Sequence, residues 1–304
     1  MTATTDRATH ALGGDQQRDD RTRLWDPFAG DASSPHRVAT DATARERPAI
    51  VDGRYRVCRL LGSGGMGAVW LARDEVLQRV VALKQFTNGE GHDGWSALRE
   101  ARAAARISHP GVVRVHDVLL GTDGDWLVME ALPGTPLSAV IRDRGRLPVD
   151  EVRKIGLQLL SALHAIHAVG LVHRDIKPSN VQVCAPDRVV LTDFGLTAPS
   201  GAGRDGEVAG SLRYMAPETI TDGRYGPPSD LYALGVTLYT AVEGRPPFDT
   251  DPQLPLPDSV PSAALVPPAY AGQLGELLNG LLEQDSARRM ELGAAFEYLR
   301  GIGG

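Results

Sequence analysis

From Tyr55 onward, short runs of apolar and β-branched residues, Tyr55–Leu61, Ala68–Ala72 and Val80–Phe86, are separated by turn-like stretches, a pattern that predicts antiparallel strands. Trp95–Ile107 then spaces Ala, Leu and Ile at helical intervals around Arg99, Glu100 and Arg102, and the pattern breaks at His109-Pro110-Gly111. One helix is therefore expected among the strands. Val112–Leu120 and Trp126–Leu132 return to strand character. Beyond Pro133-Gly134 the period changes to that of helices. Val149–Val169 and Ala271–Glu283 are amphipathic, whereas Asp230–Glu243 is almost wholly apolar and should be buried on all sides. The pattern predicts an α+β chain in two parts: a small antiparallel β-rich part with one helix, then a larger α-helical part.

Two stretches lack such periodicity. Up to about residue 53 the chain mixes Thr, Asp, Arg and Ala, with Gly13-Gly14, Pro27, Pro35 and Pro48 as interruptions, and reads as a disordered extension. Its one apolar cluster is Leu24-Trp25-Asp26-Pro27-Phe28. The segment from Pro252 to Pro268, with prolines also at 255, 257, 261 and 267, should be extended.

Composition narrows the setting. At 304 residues, with 42% hydrophobic and 23% charged positions, the chain is long enough for two lobes with cores of their own. A net charge of −6 argues against nucleic acid as a partner. Cys58 and Cys184 are the only cysteines, too few for a disulfide framework or thiolate metal site, which fits a reducing cytoplasm. The N-terminus has no apolar run of the kind a secretion signal needs. The longest apolar stretch, Leu231–Val242, is too short to span a bilayer, so no membrane span is expected.

The chemistry-bearing residues fall into a few short motifs. Gly62-Ser63-Gly64-Gly65-Met66-Gly67-Ala68-Val69 lies between two expected strands, so its glycines would let a hairpin fold closely over an anion, unlike a glycine motif that opens a helix. By itself such a hairpin is often only a turn. Lys84 ends the apolar strand Val81-Ala82-Leu83-Lys84, and an ammonium on the inner face there needs a carboxylate; Glu100 on the following helix is the natural partner. His173-Arg174-Asp175-Ile176-Lys177-Pro178-Ser179-Asn180 and Asp193-Phe194-Gly195 then bring together a base, a cation and two oxygen ligands for Mg2+. That set suits transfer of a phosphoryl group from ATP to a hydroxyl.

Taken in order, these motifs and Ala216-Pro217-Glu218 resemble the eukaryotic-like (Hanks-type) bacterial serine/threonine protein kinases, over about Tyr55 to Arg300. The resemblance implies the two-lobed protein kinase fold, with the β-rich N-lobe at 54–132 and the α-helical C-lobe at 133–304 after an extension at 1–53. It implies that Asp175 orients the substrate hydroxyl and accepts its proton, that Lys177 neutralises charge on the γ-phosphate, and that Lys84, held by Glu100, meets the α- and β-phosphates. Asn180 and Asp193 would hold Mg2+ or Mn2+. Leu61 and Gly62 through Val69 would cover the nucleotide. Val69 and Ala82 would pack on adenine, and the backbone of Glu130 and Leu132 would meet its edge, with Gln182 beneath it. His173, Asp230 and the pair Glu218–Arg289 are expected to serve the scaffold. Lys177 directly after Asp175-Ile176, with the stretch Gly210–Glu218, points to the serine/threonine branch, acting on Ser or Thr of protein substrates and on itself.

Three departures qualify the resemblance. Arg174 beside Asp175 usually accompanies a phosphorylated activation loop, yet Gly201–Val208 has no Ser or Thr and offers Asp205 and Glu207; one of these carboxylates is expected to substitute for phosphate. Thr197 and Ser200 are the modifiable residues nearer the start of the loop. Gln182 stands where an apolar residue is usual, which bears on nucleotide affinity. Pro255 and Pro257 interrupt a region that forms a docking helix in relatives. Many bacterial relatives continue into a membrane span and an external sensor, and none is encoded after the last helix here, so control is expected from a regulatory partner, the extension or an upstream kinase. A pseudokinase scaffold is the first rival reading, but Lys84, Asp175, Asn180 and Asp193 are all present. A small-molecule phosphotransferase is the second, and Ala216-Pro217-Glu218 disfavours it.

Overall fold

The computed structural model describes residues 50–64, 67–86, 95–121, 124–185, 187–194, 197–199, 212–248 and 265–303. Strand β1 (Ile50–Val51) leads through a turn into β2 (Tyr55–Gly64), β3 (Gly67–Asp74) and β4 (Arg79–Gln85); helix α1 (Trp95–Ala104) follows, then β5 (Val115–Leu119) and β6 (Trp126–Glu130). These strands form one antiparallel sheet in the order β1-β2-β3-β4-β6-β5. The expected disordered extension lies outside the described residues up to position 49. Its last residues depart from the expectation, because Ile50 and Val51 pair with Arg56 and Tyr55 and Val51 is buried.

The apolar runs that predicted the strands cover both faces of the sheet, because successive side chains turn to opposite sides. Trp126 and Val128 join Tyr55, Val57, Ala72, Val81 and Leu83 on one face, whereas Leu127 between them turns to the other, against Phe86 and Ala101 of α1. Helix α1 ends at Ala104, earlier than the apolar spacing to Ile107 suggested. The next residues close single turns, Arg106 N–H on Ala103 O and Ile107 N–H on Ala104 O, as the chain bends toward Pro110.

The second lobe begins with β7 (Gly134–Pro136) and continues through α2 (Leu137–Arg144), α3 (Val149–Ala168), β8 (Leu171–Val172), β9 (Val181–Cys184), β10 (Arg188–Leu191) and β11 (Ala198–Pro199). Four more helices follow: α4 (Pro217–Asp222), α5 (Pro227–Glu243), α6 (Gly275–Leu281) and α7 (Leu292–Gly301). Helix α3 buries Val152, Ile155, Leu159, Leu160, Leu163 and Ile166, one stripe of a 3.6-residue period. Helix α5 is buried all round from Ser229 to Glu243, as its almost wholly apolar run requires. It can pack this closely because Gly235 faces Leu281 and Leu282 of the α6 region, where a Cβ would lie 2.8 Å from Leu281 Cβ. The amphipathic stretch at Ala271–Glu283 is a short 3-10 turn, Gly272–Leu274, followed by α6. The proline-rich segment lies outside the described residues from 249 to 264; Leu265 forms a bridge with Phe248. Among the described residues no helix is long and apolar enough to cross a membrane.

Candidate active site

Two short loops, one after β8 and one after β10, carry the charged residues, and Asp230 at the start of α5 sets the first of them. Its buried carboxylate accepts from the backbone N–H of His173 and of Arg174, each at 2.9 Å, and lies 2.8 Å from His167 Nε2. Arg174 adopts φ 71°, a left-handed conformation that a non-glycine residue keeps only where its surroundings impose it. Those two N–H bonds are part of what imposes it. The Arg174 guanidinium lies 4.4 Å from the centre of the Tyr225 ring.

His173 is fully buried, edge-on to Phe194 at 4.9 Å. Its Nδ1 accepts the Asp175 N–H at 3.3 Å and its Nε2 lies 3.2 Å from Thr192 O, so the neutral tautomer with Nε2–H satisfies both contacts. Burial, the largest influence, holds its pKa below that of an ordinary histidine. The ring is scaffold, as expected from the sequence.

Asp175 is consequently fixed from beneath. Its Oδ2 accepts from Lys177 Nζ at 2.7 Å and from Asn180 Nδ2 at 2.8 Å, and Asn180 Nδ2 also bonds the Asp175 carbonyl at 2.9 Å. The short turn Pro178–Asn180 produces this closeness of residues two and five positions apart. Asn180 O in turn accepts from Thr192 N–H at 2.9 Å and from Thr192 Oγ1 at 3.1 Å, which draws the end of β10, and therefore Asp193, to the same spot.

Lys84 comes from the other lobe. Its Nζ lies 2.8 and 3.0 Å from the two oxygens of Glu100 and 2.6 Å from Asp193 Oδ1. Glu100 Oε1 also accepts the Phe194 N–H at 3.2 Å, so α1 is joined to the second loop as well as to β4. Burial alone would lower the Lys84 pKa, but the charges of Glu100 and Asp193 outweigh it and the net displacement is upward. For Glu100, burial is the largest influence and, with the like charge of Asp193, keeps the carboxyl above the usual range. For Asp193, burial pulls upward, but the Lys84 charge and hydrogen bond prevail and the pKa falls.

The glycine-rich hairpin shows one position where only glycine fits. Gly67 has φ 128°, and a Cβ there would run into the Gln85 carbonyl oxygen. Leu61, Gly62 and Ser63 are exposed, and Gly64 ends β2; Gly65 and Met66 lie outside the described residues. Ala68 and Val69 pair with Gln85 and Lys84, and Ala82 is buried in the adjacent strand. The Glu130 N–H donates to Arg114 O at 2.8 Å, and Leu132 packs on the main core. Gln182 is half-buried in β9, opposite Val190 on one side and Pro136 on the other.

The oxygen donors of Asn180 and Asp193 form a hard set that fits Mg2+ or Mn2+. Asn180 turns its amide nitrogen toward Asp175, and among the described residues its Oδ1 receives only a long 3.3 Å contact from Ser179 Oγ. The residues present are therefore compatible with a divalent cation.

Other charged pairs brace the helical lobe. Arg289 grips both oxygens of Glu218 at 2.6 and 2.9 Å, as the sequence suggested. Sequence reasoning missed Arg188, which bonds Glu130 at 2.6 and 3.1 Å; a lone arginine at the start of a strand gives no signal of such a partner. Thr197, read as modifiable, is only 5% exposed, its N–H on Phe194 O and its Oγ1 3.4 Å from His173 O, so a phosphate cannot reach it in this state. Ser200, Asp205, Glu207 and Ser211 lie outside the described residues.

With this geometry in view, comparison with known proteins defines the class. The model of the protein kinase domain family matches residues 55–298, and the chain belongs to that family. It is 37% identical over 260 residues to the serine/threonine-protein kinase PknA of Mycobacterium tuberculosis and to that of Mycobacterium bovis, covering 81% of this chain and 60% of each relative. It is 39% identical over 218 residues to the serine/threonine-protein kinase PknE of Mycobacterium tuberculosis, covering 69% of this chain and 38% of that protein. The chain thus spans about 60% of the length of the first of these relatives and less of the other. The family works with ATP, a divalent cation and protein substrates.

Proposed function

We propose that this chain is a cytoplasmic protein serine/threonine kinase that passes the γ-phosphate of ATP to Ser or Thr hydroxyls of other proteins and of itself. The observation that supports it most is the meeting of Lys84 and Glu100 of the first lobe with Asp193 of the second, whose loop is tied through Thr192 to Asn180, itself bonded with Lys177 to Asp175. Kinship with serine/threonine-protein kinases over most of the chain supports the same reading. The free cysteines, Cys58 and Cys184, accord with a reducing compartment.

In the proposed reaction the substrate hydroxyl oxygen forms a bond to the γ-phosphorus as the bond from that phosphorus to the β–γ bridging oxygen breaks. ADP leaves, and the hydroxyl proton passes to the Asp175 carboxylate. Asn180 and Lys177 both hold Asp175 Oδ2, which limits rotation of the carboxylate and leaves Oδ1 as the oxygen to receive the hydroxyl. Lys177 would also balance charge on the transferring group, and Lys84 would serve the α- and β-phosphates. Asp193 and Asn180 would hold Mg2+ or Mn2+, which when bound supplies charge neutralisation between the phosphates and the incoming oxygen. The hairpin Leu61–Val69, with Ala82, Gln182 and the backbone of Glu130 and Leu132, would cover the nucleotide, with the hinge at the junction of the 54–132 and 133–304 lobes. A regulatory partner or upstream kinase would act on this arrangement from outside.

The test is transfer of labelled phosphate from ATP to a generic protein substrate, with Mg2+ and with Mn2+, by the wild type, Asp175→Asn and Lys84→Met. Label on Ser or Thr should fall on the order of 10²-fold or more in Asp175→Asn. Equal labelling by that variant, or nucleotide binding without transfer by the wild type, would overturn the reading.

A further inference from the structure

Arg188, at the first position of β10, makes three hydrogen bonds with one guanidinium. Nη1 and Nη2 meet the two oxygens of Glu130 at 2.6 and 3.1 Å, and Nε donates to the Pro110 carbonyl at 2.9 Å. Glu130 is the last residue of β6, in the first lobe, whereas β10 belongs to the second. Pro110 lies in the segment that leaves α1. One side chain therefore joins the helical lobe, the last strand of the sheet lobe and the connection behind α1.

The surroundings hold each of the three parties. Gln158 of α3 flanks Arg188, its Nε2 donating to Asp187 O at 2.9 Å and its Oε1 accepting the Val189 N–H at 2.8 Å. At the other end of β10, Leu191 N–H donates to Gly111 O at 2.8 Å and Leu191 O accepts the Val113 N–H at 3.0 Å. The Glu130 N–H closes the ring on Arg114 O. Residues 110–114 are thus tied at four points, to a strand of one lobe and to the hinge of the other. This set differs from an ordinary surface ion pair, which usually contributes little. Two parallel bonds to a carboxylate and a third to a carbonyl use the planar fork of an arginine in a way that lysine cannot reproduce.

We propose that Arg188 is a positioning residue for nucleotide binding: by holding Glu130 and the Pro110 carbonyl together, it sets the hinge backbone and the anchorage of α1, and through α1 the place of Glu100. This rests on the reading that the cleft takes ATP. The mechanical link is direct, because the clamped residues follow α1 after one short bend and Glu100 on that helix bonds both Lys84 and Phe194. Loosening the clamp loosens both the edge that meets adenine and the carboxylate that steadies Lys84.

The experiment uses the full chain with Arg188→Ala, Arg188→Lys and Glu130→Gln. It measures the Kd of a fluorescent ATP analogue, the ATP KM and kcat, and amide hydrogen exchange. Arg188→Ala should raise Kd and KM about fivefold, with kcat less affected, the loss expected of a bidentate pair that is partly exposed. Amides of Val113, Glu130 and residues 95–104 should exchange faster while those of α5 do not change. Glu130→Gln should loosen the hinge amide more than residues 110–113, because the Pro110 bond survives. Arg188→Lys should recover only part of the affinity. Unchanged affinity and exchange in Arg188→Ala would overturn the proposal, and so would faster exchange spread evenly over both lobes, which marks general destabilisation. A wild type that binds no nucleotide refutes the kinase reading instead, and the exchange pattern still decides whether Arg188 couples hinge to helix.

Discussion

Replacing Lys84 by Met tests the electrostatics of the cleft independently of catalysis. The Lys84 side chain is 6% exposed and serves two carboxylates, Glu100 at 3% and Asp193 at 25%. Methionine fills a similar volume, so the packing loss is small and the main effect is two stranded acids. Removing one partner of a buried pair costs about 3–5 kcal/mol; the partial exposure of Asp193 places this site near the lower end, about 3 kcal/mol at pH 7.5. For a domain of this size that lowers Tm by about 6–12 °C.

The penalty should depend on pH in a definite direction. Burial and the charge of Asp193 already raise the Glu100 pKa, and without the ammonium it rises further. A carboxyl whose folded pKa exceeds its unfolded value is stabilising when protonated, and that stability is lost as pH rises through the folded value. Lys84→Met should therefore approach the wild type at pH 5.5 and fall furthest below it at pH 7.5. Adding Glu100→Gln to Lys84→Met should recover about 2 kcal/mol, because the amide carries no charge to strand. Thermal unfolding of wild type, both single variants and the double at the two pH values measures all of these. The reasoning fails if Lys84→Met is as stable as the wild type, if its deficit is the same at both pH values, or if Glu100→Gln gives no recovery.

Two further outcomes are expected. Gly235→Ala should destabilise by about 1–3 kcal/mol in urea unfolding, since the new methyl would meet Leu281 Cβ at 2.8 Å; helix propensity alone predicts a gain, so an increase in stability would show that α5 and α6 have room to separate. Burial foremost lowers the pKa values of His109, His116 and His173, assisted by His164 at the first and by Arg79 and Arg114 at the second. Histidines depressed in the folded state contribute stability that is present above their unfolded value of about 6.5 and lost as pH falls below it. Unfolding between pH 6.5 and 5.5 should take up protons, and isothermal titration in two buffers of different ionisation enthalpy reads the number; zero uptake would contradict the buried neutral state of His173.

Much of the fold was legible because its cause is local. The short apolar runs in Val80–Phe86 and Trp126–Leu132 reflect strands covered on both faces, and the apolar run of α5 reflects burial all round. Where a boundary depends on a distant partner, local pattern misleads. Apolar spacing continues to Ile107, yet α1 stops at Ala104 because the chain must bend to reach Leu191 through Gly111 and Val113. Likewise Thr197 has the composition of an exposed loop residue, and only packing on His173 and Phe194 hides it.

The sequence by itself determined the order of the elements, the family and the residue types of the cleft, since motif spacing and periodicity are properties of neighbours along the chain. Lys84 with Glu100 was readable because a lysine ending a buried strand needs a carboxylate, and Asp175, Lys177 and Asn180 stood out by type and spacing, although their bonds to one another came only with the fold. Only the tertiary structure decided that Lys84 also holds Asp193, that Asp230 accepts two backbone N–H groups beside His167, and that Arg188 spans Glu130 and Pro110. Those contacts join segments dozens of residues apart, and a charged side chain carries no mark of which distant opposite charge the packing of helices and sheet will bring to it.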